Sequence, residues 1–174
     1  MSLVAIPRFD RDQVQHFANR YDLTHDDPVS KMVADVQLRG FLTKSELAIV
    51  GDWKTARIRP KLATNSEELV HEATRLALAA SSASVAIHVP QVLFGVGMPV
   101  ASTLLHWFHR DPFPIIDFRA LWSLQIEPPS SCTLAFWEEY VACARNLAKS
   151  WRVDMRTLDR ALWQFSADNQ PPSS

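Results

Sequence analysis

The sequence predicts an all-α protein. Three observations carry that prediction. Apolar residues recur at three- and four-residue spacing in segment after segment, only four glycines interrupt 174 residues, and the alternating Val, Ile and Thr runs that mark strands are scarce. Hydrophobic residues make up 47% of the chain, enough for a sizeable core. The length suits one compact helical domain over residues 1–165, with room for two small lobes, followed by a flexible polar tail at 166–174.

Taken in order, Phe9 to Tyr21 reads as a first helix, and His25-Asp26-Asp27-Pro28 breaks it. Asp27 is placed to cap a second helix from Pro28 to about Arg39, and Gly40 ends it. Thr43 caps a third, Lys44 to about Lys54. Asn65-Ser66-Glu67-Glu68 opens the next, with Glu68 in reach of a capping box, and Leu69, Ala73, Leu76 and Ala80 share one stripe that is expected to be core. A helical hairpin is expected over 84–109. Its first helix is Ser84 to Phe94, kinked or restarted at Pro90. Its second is Met98 to His109, with Ala101, Leu104, Leu105 and Phe108 buried. Asp111-Pro112-Phe113-Pro114 then forces an extended approach to Asp117, a favoured N-cap for a short helix over Phe118–Leu124. Ser131 caps a long helix from Cys132 to about Trp151, with Leu134, Trp137, Val141 and Leu147 among its apolar members. Asp154 caps a last one to about Phe165, with Leu158, Leu162 and Trp163 inward.

Bulk properties narrow the function. A net charge of −1 offers no global attraction to a polyanion, so any contact with nucleic acid must be local. Two cysteines, Cys132 and Cys143, are too few for a four-cysteine iron–sulfur cluster, and without a disulfide framework a cytoplasmic location is expected. Met1 to Pro7 lacks the basic segment of a secretory signal, and no uninterrupted apolar run is long enough to predict a membrane span. His106 and His109 lie near Asp111, but without an H-E-x-x-H pattern no metal site is expected. The oligomeric state is not legible.

Two stretches carry chemistry. Trp53 to Lys61 holds Lys54, Arg57, Arg59 and Lys61 and no acid, which suits either a solvated loop or a strip of phosphate contacts. Gly95-Val96-Gly97 sits between two helix-compatible runs. Glycine reaches positive φ without steric cost, and Gly97 is expected there, so the turn can be very tight. It would expose backbone N–H groups at a helix start, where a DNA phosphate fits. An ordinary helix–helix turn has the same requirement.

The stretch Leu93 to Leu124 resembles the helix-hairpin-helix DNA glycosylase superfamily, which includes the endonuclease III-like enzymes. Its Leu-Pro-Gly-Val-Gly turn is matched by Leu93-Phe94-Gly95-Val96-Gly97, its small helical alanine by Ala101, and its catalytic Asp by Asp117, 22 positions beyond Gly95 in Phe113-Pro114-Ile115-Ile116-Asp117. The resemblance implies a glycosylase-like helical fold. It also implies phosphate contact through the hairpin with a monovalent cation when DNA is bound, no other cofactor, and Asp117 as the catalytic carboxylate. Bifunctional members carry a nucleophilic Lys where this chain has Pro99, so a monofunctional hydrolysis is implied. Trp107, Phe118, Trp122 and Arg119 lie near Asp117 in sequence and could line a pocket for an extruded base. The alternative functions are a non-catalytic DNA- or protein-binding protein with a degenerate site, and an enzyme acting on a small nucleoside.

Overall fold

The computed structural model describes residues 3–171, and among them no strand forms. The α-helices are α1 (Val14–Arg20), α2 (Asp27–Ser30), α3 (Val33–Arg39), α4 (Lys44–Lys54), α5 (Arg59–Leu62), α6 (Glu67–Ala79), α7 (Ala83–His88), α8 (Met98–Phe108), α9 (Phe118–Ser123), α10 (Leu134–Trp151) and α11 (Met155–Asn169). None of these helices is long and apolar enough to cross a membrane. The chain divides into two units. One is Asp22–Pro112, and the other combines the segments before and after it, through Tyr21 and from Phe113.

In the Asp22–Pro112 unit, local chemistry decides most helix ends. Thr43 and Glu46 form a reciprocal capping box that starts α4, and Ser66 accepts the Leu69 N–H to start α6. Gly40 ends α3 in the left-handed conformation at φ +83°. Three expectations are corrected here. The helix foreseen from Pro28 to Arg39 is two, α2 and α3, because the chain turns at Lys31–Met32. The first hairpin helix ends at His88 and continues as a 3-10 turn over Val89–Val92, where Pro90 supplies no N–H for an α-helical bond. The buried face of α6 is Val70, Ala73, Thr74 and Ala77, while Leu69 and Leu76 are exposed. Thr74 turns inward because its hydroxyl is satisfied there. It donates to the Val70 carbonyl at 2.8 Å and accepts the Leu42 N–H at 2.9 Å. The expected buried face of α8 holds, with Ala101, Leu104, Leu105 and Phe108 all inside.

In the other unit α1 packs along α11, and Phe9, Phe17 and Phe165 form an aromatic cluster with ring centres 4.9–5.2 Å apart. The strand-like start of the chain is tied to the end of α9. The Ile6 and Arg8 N–H groups donate to the Leu124 and Ser123 carbonyls, each at 2.9 Å. Here the first helix is shorter than expected, a 3-10 turn over Arg11–Gln13 leading into α1. The long helix α10 starts from Thr133 rather than Ser131, since it is Thr133 that accepts the Phe136 N–H. Helix α11 runs to Asn169, past the expected end at Phe165, and Ser166 is fully buried in it; only 172–174 of the expected tail lies outside the described residues. Trp163 is 37% exposed rather than inward, with its ring edge against Tyr21 at 5.5 Å.

Candidate functional site

The hairpin turn is built by four residues and one clamp. Gly95 adopts φ +92°, and the Val96 N–H donates to the Leu93 carbonyl at 3.0 Å, closing the reversal. Gly97 is not at positive φ as expected. It is extended (φ −97°, ψ −177°) and forms the N-cap of α8, with its carbonyl accepting the Ala101 N–H at 2.9 Å. One left-handed residue suffices to reverse the chain. The buried Asn65 clamps the turn from outside. Its Oδ1 accepts the Phe94 N–H at 2.9 Å, and its Nδ2 donates to the Phe94 and Leu62 carbonyls, both at 3.0 Å. Nothing in the sequence marks this role, because the two partners lie 29 residues apart. Pro99 stands in the first turn of α8, where it has no N–H to lose, and the first amides of a helix have no intrahelical acceptor.

The predicted cationic strip belongs to the same unit and runs from the end of α4 into α5. Lys54 ends α4. Arg57 is exposed, with its Nε donating to the Thr55 hydroxyl at 3.4 Å. Arg59 is held by Asp52 through two parallel bonds of 2.8 Å, so that acid offsets part of the strip's charge. Lys61 and Leu62 lie directly under Gly95. Trp107 is also in this unit. Its ring meets Trp53 edge-on at 5.7 Å, and Trp53 stacks on His25 at 5.4 Å while donating to Asp26.

His109 is nearly buried, and both of its ring nitrogens serve the backbone. Nδ1 accepts the Asp111 N–H at 2.9 Å, which puts the proton on Nε2 for the Ala80 carbonyl at 3.0 Å. Among the described residues no three His, Cys, Asp or Glu side chains gather into a metal-holding group.

Asp117, Phe118, Arg119 and Trp122 belong to the other unit. Asp117 caps α9, with Oδ1 accepting the Ala120 N–H at 2.9 Å, and its side chain is only partly buried. The approach to it is rigid. Phe113 stacks on the fully buried Trp137 at 5.5 Å and carries the Arg145 guanidinium 4.5 Å from its ring centre. Tyr140, 1% exposed, donates its hydroxyl to the Ile115 carbonyl at 2.9 Å. Burial pushes the Tyr140 phenol well above its ordinary value, and the negative charges of Asp117 and Asp159 add to the effect. Asp159 is itself buried and paired with Arg156, which also reaches the Tyr21 hydroxyl at 3.4 Å. Two carboxylates thus bear on one protonated phenol beside the extended segment that delivers Asp117. Tyr140 and Asp159 were not singled out from the sequence, and on a helix such residues look like any others.

The remaining predicted pocket residues have separate surroundings. Phe118 is 60% exposed. The Arg119 guanidinium lies 5.2 Å from its ring centre and 5.0 Å from that of Trp163. Trp122 stacks on Phe165 at 5.8 Å and carries the Arg8 guanidinium at 4.4 Å, so other side chains already occupy its ring. Phe118, which follows Asp117 in the chain, stays largely exposed beside the Arg119 guanidinium.

No protein-family model, curated protein or solved structure matches the chain.

Proposed function

We propose that the protein is a helix-hairpin-helix DNA glycosylase-like enzyme that hydrolyses an N-glycosidic bond with Asp117 and has no lyase step. The observation that carries this reading is Asp117 itself. It is a partly accessible carboxylate at a helix N-terminus, delivered by an extended segment that Trp137 and Tyr140 hold in place. As the base departs with the electron pair of the glycosidic bond, positive charge grows on the sugar. A fixed carboxylate stabilises that charge and orients the water whose oxygen bonds to the sugar carbon. The departing base takes up a proton. The exposed ring of Phe118 and the guanidinium of Arg119 would flank the extruded base. The left-handed turn at Gly95, leading into the start of α8, supports a role in holding phosphate.

The test is base release from duplexes carrying alkylated, deaminated or oxidised bases, read by hot-alkali cleavage at the abasic product. Asp117→Asn keeps an oxygen for the Ala120 N–H, so stability should change by less than about 1 kcal/mol, while Asp117→Ala should cost roughly 0.5–2 kcal/mol. Base release should fall by orders of magnitude in the Asn variant. Full release by that variant would end this mechanism. If wild type binds DNA but no substrate is turned over, the non-catalytic binding function takes its place.

A further inference from the structure

Three arginines converge where the function above uses none of them. Arg39, Arg75 and Arg110 line a groove of about 470 Å³ in the Asp22–Pro112 unit, with Gln37, Gly40 and the apolar wall of Leu78, Ala79 and Phe108 completing it. They come from three places in the chain: the end of α3, the outer face of α6, and the segment just past α8. No acid lines the groove.

Two of the three are oriented. Arg39 donates to the Phe41 carbonyl from Nε and Nη2 at 3.3 and 3.2 Å, lies over the Phe41 ring, and pairs with Glu46 of the α4 capping box. Arg110 donates to the Ser81 hydroxyl at 3.0 Å. Glu46 answers the charge of Arg39, while Arg75 and Arg110 bring two further positive charges to the groove. On its far side Arg75 borders a second groove lined by Glu67, Glu68, Glu72 and His71. The acidic side chains thus line the second groove and the arginines the first, with Arg75 shared between them. A guanidinium offers several N–H donors in a plane that matches phosphate oxygens. The glycine at Gly40 and the apolar wall leave room beside them for a sugar.

We infer that this groove is a phosphate site occupied by the backbone of a bound nucleic-acid strand. The inference rests on the reading of DNA as the ligand and extends it to a surface separate from the hairpin turn. Such a contact positions the strand without reading its sequence.

The experiment measures binding of a short undamaged duplex to the full chain by fluorescence anisotropy across a salt series. Wild type is compared with R75Q/R110Q, R75K/R110K and the exposed-surface control Lys149→Gln, with melting curves to verify folding. Loss of two phosphate contacts should weaken binding on the order of tenfold. It should also flatten the slope of log affinity against log salt by about 2. The lysine pair should keep most of the slope, and the Lys149 variant should match wild type. Base release on a recognised lesion is read in parallel. If wild type binds DNA and R75Q/R110Q binds equally with an unchanged slope, the groove is not a phosphate site, and the Asp117 mechanism is untouched. If wild type fails to bind DNA, the DNA reading falls, and inorganic pyrophosphate becomes the deciding probe. A rise in melting temperature that R75Q/R110Q abolishes would assign the groove to a free phosphate ligand. No rise would overturn the site altogether.

Discussion

Replacing Gly95 with alanine should damage the hairpin far more than the same change at Gly97, although the two glycines look equivalent in the motif. At Gly95 the backbone sits at φ +92°, where an L side chain costs about 1–2 kcal/mol. The new Cβ would also lie 2.8 Å from the Lys61 Cβ, 3.3 Å from the Leu62 Cδ2 and 3.4 Å from the Leu62 nitrogen. The first contact is with the root of a side chain, which cannot swing away, so overpacking adds about 1–3 kcal/mol. A loss near 3 kcal/mol corresponds to a fall in melting temperature of about 6–12 °C for a chain of this size. At Gly97 the backbone is extended and the nearest atom to a new Cβ is the Pro99 Cδ at 3.9 Å, an ordinary contact. There alanine is a poorer N-cap than glycine but also has less freedom to lose on folding, so the net change should stay within about 1 kcal/mol. Circular-dichroism melts of the two single variants make the comparison. A Gly97→Ala protein as unstable as Gly95→Ala, or a Gly95→Ala protein melting with wild type, would refute the assignment of strain to Gly95.

Two further outcomes are expected. Tyr140→Phe leaves the Ile115 carbonyl buried without its donor and should cost about 1–3 kcal/mol. The raised phenol pKa adds a pH signature: above about pH 10 the unfolded chain releases this proton while the folded one keeps it, so stability falls as pH rises. Denaturant melts on either side of that pH should show a shallower alkaline decline for the Phe variant, and parallel declines would contradict it. Because Pro99 stands where a nucleophilic lysine would be, borohydride should trap no covalent adduct with abasic DNA, and a trapped adduct would remove the hydrolytic mechanism.

The parts of the fold that were legible are those decided within one helical turn. Thr43 with Glu46, Ser66 and Asp154 each start a helix where their side chains dictate, and Gly40 stops one. The misreadings arise where two local solutions compete. Ser131 and Thr133 can both cap a helix, and only packing selects the second. In α6 two stripes are comparably apolar, and the buried one contains Thr74, whose polarity hides its role until Leu42 is seen to bond it. The site divides in the same way. Asp117 as a cap and the tight turn at Gly95 were readable, since spacing and backbone sterics are local. Tyr140, Asp159, Arg156 and Asn65 were not, because each acts on a segment distant in the chain. Trp107 and Trp122 were grouped with Asp117 on their closeness in sequence, and their ring partners were not readable from it. Trp107 meets Trp53, and the ring of Trp122 is shared by Arg8 and Phe165.

The pairing of α1 with α11 has a kinetic consequence. The unit to which they belong is interrupted by the whole of Asp22–Pro112, so its first helix emerges from the ribosome long before its partner. The intervening unit is one continuous stretch of chain and can complete itself first. Until then Phe9, Phe17 and Tyr21 have none of the α11 surface that later covers them. Closing so long a loop adds little equilibrium cost, since that entropy grows only logarithmically, but it slows the search. The waiting aromatic segment is the natural place for a chaperone to hold the nascent chain, and for an interrupted synthesis to leave an aggregation-prone end.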